Sequence, residues 1–142
     1  MFVKDNVRAL MMNHGFIAAG IMTIGGSTFL FEQGLISGEL WMVVHATGIY
    51  LAYIPFNCLL FDRMLAVLKD KANAGFLIYL ADATGYLGSV ALLLFKNFAV
   101  VDLLWLPFFT GAAYATSLAG LVLVGGSALL FLRGRRDGAS ST

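Results

Sequence analysis

An all-α bundle of four transmembrane helices with both termini cytoplasmic is the fold class this sequence predicts, and three observations predict it. The first is composition: of 142 residues 60% are hydrophobic and 12% charged, with a mean hydropathy of +0.86, whereas a soluble domain is about a quarter charged. The second is four apolar runs, roughly 10–31, 40–61, 75–95 and 106–132, each near the ~20 residues that a spanning helix needs. The third is the placement of the nine Lys and Arg residues. These runs are too long and too uniformly apolar for the alternating strands of a membrane barrel.

The elements follow in order. The first apolar run is long enough to span, and no small-residue cleavage site follows it, so the sequence predicts an anchored span and not a removable leader. A short Gly-containing connection, 32–39, leads to the second run. The segment 62–74 is longer and charged, and its first half, DRMLAVLKD, keeps helical spacing, so the second helix is expected to continue beyond the membrane. Residues 96–105 make a short return to the fourth run. Residues 1–132 thus read as one four-helix domain, and the basic stretch RGRRDGASST at 133–142 as a disordered tail.

Lys4 and Arg8 precede the first run; Arg63, Lys69 and Lys71 lie between the second and third; Arg133, Arg135 and Arg136 follow the fourth. Only Lys96 falls on the other side. Lys/Arg excess marks the cytoplasmic face, so the expected location is a bacterial cytoplasmic (inner) membrane with both termini inside. Trp41 and Trp105 fall at the two outer entry points, where interfacial indoles are expected. Small residues recur through the runs, and Gly111 and Ala115 have the spacing that lets helix backbones approach closely. Cys58 is the sole cysteine, which excludes a disulfide framework and a CxxC metal site.

The chemistry gathers around Asp82, an acid in the third apolar run. Tyr79, Asp82, Tyr86 and Ser89 are spaced three, four and three apart and share one stripe of a helix. Polar groups at such depth face protein or a watery cavity. The antiparallel second run carries Tyr50, Tyr53 and Asn57. Asp82 lies seven residues in from Gly75, roughly 10 Å at 1.5 Å per residue. A similar climb along the second run reaches Tyr53 and Asn57, so these two are expected to hydrogen-bond Asp82. Pro55 between them has no N–H, which deprives the carbonyl of Leu51 of its usual donor and favours a kink. Two readings of Asp82 stay open: a substrate or proton-pathway carboxylate, with Tyr79, Tyr86, Ser89, Tyr53 and Asn57 beside it, or a helix-packing hydrogen bond.

His14 and His45 raise the question of haem. His14 is expected near the inner end of the first helix and His45 near the outer end of the second, too far apart along the membrane normal to share one iron. No cofactor and no metal site is therefore expected. His45 is a candidate proton carrier or a hydrogen-bonded structural residue. Glu32 and Glu39 read as solvated, and Asp62-Arg63 as an interfacial anchor. No Walker motif, GxSxG, HExxH or hydrolase-like carboxylate pair is present, so the chain is read as not an enzyme.

Three stretches, NHGFIAAGIMTIGGSTFLFEQGLIS (13–37), GIYLAYIPFNCLLFDRMLA (48–66) and NAGFLIYLADATGYLGSVALLLFKN (73–97), resemble the C-terminal part of a family of uncharacterised bacterial membrane proteins built like major facilitator transporters. The resemblance implies about twelve spans in the whole protein, of which these would be the last four. It implies architecture and supplies no substrate. The expected function is accordingly a transporter-like multi-pass protein of unknown solute, or a C-terminal fragment of one. The alternative is a non-catalytic scaffold or subunit. Either way the expected partners are the lipid bilayer and further transmembrane helices, from a missing part of the chain, a second copy or a partner subunit, and not nucleic acid. A four-span drug exporter would carry its essential acid in the first run, where this chain has none before Glu32.

Overall fold

In lipid, every backbone N–H and C=O must be satisfied within its own segment, and four long apolar runs accordingly become four helical rods. The computed structural model describes residues 6–68, 73–99 and 104–139, and the regular structure in them is helical throughout. Helix α1 spans Asn6–Glu32. Helix α2, Gly38–Pro55, passes through a π-helical turn at Phe56–Leu60 into α3, Phe61–Leu68, without a break. Helix α4, Ala74–Leu94, ends in a second π turn at Phe95–Ala99. Helix α5 is Trp105–Ala139. Four segments, Val7–Glu32, Gly38–Val67, Ala74–Phe98 and Trp105–Arg133, are long and apolar enough to cross a membrane. The chain is a multi-pass membrane protein by this measure. Lys4, Lys69 and Lys71, used above for orientation, lie outside the described residues.

The ends of the helices are made by local chemistry. After α1, Gly34 takes φ +71°. Its N–H bonds the carbonyl of Phe31, and Leu35 N–H bonds that of Leu30. This is the paired closure in which glycine fits the left-handed position at no steric cost. Ser37 caps α2 by accepting from Leu40 N–H at 3.3 Å, and Asn73 caps α4 by accepting from Gly75 N–H at 2.9 Å. Pro107 is tolerated in the first turn of α5, where backbone N–H groups have no helical partner in any case.

Proline in the middle of a span is absorbed differently. Pro55 offers no N–H, and the next amide, Phe56, turns to the carbonyls of Ala52 and Tyr53. A π turn follows immediately, so the expected disruption takes the form of a local rewinding that carries Asn57.

Helix α1 is the centre of the bundle, with α2 and α5 packed against it. At the α1–α2 crossing the backbones nearly touch. A Cβ placed on Gly20 would lie 2.5 Å from Ala52 N and 2.7 Å from the Gly48 carbonyl. Hydroxyls on α1 fold back on their own helix, Thr23 to Ala19 O and Thr28 to Ile24 O, both at 2.8 Å, which satisfies them without water.

Two expectations are corrected here. Trp41 is not the freely lipid-exposed indole of an interfacial belt: it is buried, and its ring stacks on Phe31 at 4.2 Å. The indole N–H finds an acceptor inside the bundle, so the residue gains more from packing than from the lipid boundary. And α5 continues through 133–139, so that part of the expected disordered tail is helical; 140–142 lie outside the described residues.

Candidate functional site

Helix α4 stands apart from the other helices. Its substantial contact is with α3 alone, and none of its residues is buried. At this contact Asn57, carried on the π turn, donates from Nδ2 to Oδ1 of Asp82 at 3.4 Å. Both side chains are half-buried. The other end of the amide, Asn57 Oδ1, is buried and has no hydrogen-bond partner. An amide beside a carboxyl group can serve either charge state. Its NH2 donates to the carboxylate, and, turned over, its carbonyl accepts from the neutral acid.

The rest of the stripe is not gathered around Asp82. Tyr79 and Tyr86 are 79% and 76% exposed. Ser89 is exposed and donates to the carbonyl of Gly85 at 2.9 Å. Tyr53 is half exposed, and among the described residues its hydroxyl makes no hydrogen bond. Of the residues expected to meet Asp82, the structure brings Asn57 and leaves Tyr53 aside. Tyr79, Tyr86 and Ser89 are exposed, so at these positions no neighbouring helix covers the stripe.

A second polar cluster sits at the α1–α2–α5 junction. Trp41 Nε1 donates to Thr28 Oγ1 at 3.2 Å, and His45 Nδ1 lies 3.5 Å from the same hydroxyl. Phe109 packs against both rings, at 5.7 Å from Trp41 and 5.2 Å from His45. His45 is thus buried within a packed aromatic group. Trp41 and His45 are four residues apart and share a helix face, a signal the sequence carried; the role of Thr28 was not apparent from it.

His14 is occupied elsewhere. Its Nδ1 lies 2.8 Å from Leu10 O and its Nε2 3.0 Å from Ser127 Oγ. Fourteen residues separate it from Thr28, the neighbour of His45, or about 21 Å along α1. Among the described residues no group of three or more His, Cys, Asp or Glu side chains could hold a metal. Asn13, next to His14, is buried with an unpartnered Nδ2. Glu32 is not merely solvated: it accepts from the Tyr114 hydroxyl at 2.8 Å, tying the end of α1 to α5.

Fold and site together define a multi-pass helical membrane protein with an acid–amide pair between two of its spans. The chain belongs to a family of unknown function (DUF5690), whose model matches residues 1–134. That membership indicates neither a facilitator architecture nor a bacterial source. No curated protein and no solved structure matches the chain.

Proposed function

We propose that the chain is a transporter-like membrane protein of the major facilitator kind, or a C-terminal fragment of one. In this reading Asp82 and Asn57 line the path of a small solute or a proton. The observation that carries it is the pair itself, an acid and an amide meeting between two spans, with the amide's remaining oxygen unpaired. An intramembrane carboxylate is costly and recurs in substrate and proton pathways. The polar edge beyond it, Tyr79, Tyr86 and Ser89, is to be covered by further transmembrane helices. The setting is a bacterial inner membrane with both termini inside, as the distribution of basic residues favours.

The test uses the full chain in liposomes loaded with a pH-sensitive dye, under an imposed membrane potential. Proton entry above that of protein-free liposomes is expected for the wild type, and its loss in Asp82→Asn at unchanged protein content. A wild type that behaves like empty liposomes overturns the proposal.

A second reading is favoured by the exposure of α4. A span with no buried residue leaves most of its surface for another membrane protein, as a scaffold or subunit does. Asp82→Asn then lowers abundance or assembly and leaves no transport to lose.

A further inference from the structure

The outer end of the bundle carries a groove that the acid–amide site does not use. It lies between α2 and the start of α5, has a volume of about 450 Å³, and is walled by Trp41, Met42, His45, Trp105, Leu106 and Phe109 among others. Ligand clefts of proteins typically measure about 300–1,000 Å³. The lining is almost wholly apolar, and the groove is open along its side, so in a membrane it faces the acyl chains directly.

A cation stands beside it. Lys96, at the end of the third span, is only 7% exposed. Its Nζ sits 4.6 Å from the ring centroid of Trp105, the same indole that walls the groove. Among the described residues no carboxylate pairs with it. A cation over an indole gains some stabilisation, and a phosphate brought to the ammonium adds a charge-assisted hydrogen bond. Apolar groove and cation thus share one side chain, Trp105.

We propose that this groove binds one anionic phospholipid, with an acyl chain along Trp41, Leu106 and Phe109 and the phosphate against Lys96. The two halves of the molecule match the two features: an acyl chain fills the apolar groove, and the phosphate meets the ammonium, whereas an apolar segment of a partner protein makes no use of the cation and a free anion leaves the groove unfilled. Basic residues at the membrane surface attract anionic headgroups, and here the attraction is focused by a shaped apolar seat. The inference is independent of any transport role for Asp82.

The chain's two tryptophans both line the groove, so the wild-type protein reports on it directly. The full chain is reconstituted in vesicles of brominated phosphatidylcholine, which quenches the indoles, and unbrominated phosphatidylglycerol is added. Fluorescence is expected to recover beyond simple dilution, corresponding to about a fivefold preference for the anionic lipid. Lys96→Gln is expected to remove the preference and Lys96→Arg to keep it. Recovery that follows the bulk lipid composition in the wild type overturns the proposal. So does a preference that survives Lys96→Gln, or an absence of quenching, which means that protein covers the groove. A Lys96→Gln chain that fails to fold leaves the wild-type measurement to decide.

Discussion

Asn57 donates to the carboxyl group of Asp82 at 3.4 Å across the contact between the second and third spans. This bond is long, and both groups are half-buried. Side-chain hydrogen bonds between membrane helices average about 0.6 kcal/mol and reach about 1.7. In a double-mutant cycle with Asn57→Leu and Asp82→Leu, unfolding of the purified chain in mixed micelles is expected to give a coupling near the lower figure. A coupling of zero means the pair does not form in the folded protein.

The crossing of α1 and α2 makes a sharper demand. A Cβ on Gly20 meets backbone atoms of Ala52 and Gly48, which cannot swing aside as a side-chain tip can. Gly20→Ala is expected to destabilise by about 1–3 kcal/mol, the range for overpacking. Gly26→Ala, with open space around it, is expected to be close to neutral. Thermal unfolding of the two variants side by side checks the contrast.

Thr28 holds the aromatic junction. Its hydroxyl accepts from the Trp41 indole and gives its own hydrogen to Ile24 O. Thr28→Val keeps the shape and leaves the buried indole N–H without an acceptor, at a cost of about 1–3 kcal/mol. The expected readout is a lowered Tm together with a shifted Trp41 emission, measured in a Trp105→Phe background.

Ser127 tests the opposite end. Its hydroxyl lies 3.0 Å from Nε2 of the buried His14. Ser127→Ala strands that nitrogen and is expected to cost about 1–2 kcal/mol. Ser117→Ala removes a buried hydroxyl that has no partner and is expected to cost less than Ser127→Ala. Equal losses in the two variants contradict the His14–Ser127 contact.

Much of the site was legible because helical periodicity is a local property. The spacing of Asn57 and Asp82 from the ends of their runs set a common depth, and the two side chains do meet. The same arithmetic grouped Tyr53, Tyr79 and Tyr86 with them, and there it overreached. A stripe on one helix says which residues share a face, but not over how many turns a neighbour lies against that face. Asp82 meets Asn57, while Tyr79 and Tyr86 on the same stripe stay exposed. Trp41 misled in a related way. An indole at the end of an apolar run suits a lipid boundary and a packed junction equally well, and the choice depended on Phe31, Thr28 and Phe109 arriving from elsewhere in the chain.

By itself the sequence determined the four apolar rods and their approximate limits. Those depend on hydropathy, helix length and residues a few positions apart. Only the tertiary structure decided that α1 is the central helix, that α4 stands to one side, and that Lys96 shares the Trp105 indole with an apolar groove. These are relations between segments of similar hydropathy, and in lipid they are fixed by backbone approach at residues such as Gly20 and by a few polar contacts, which no single run encodes.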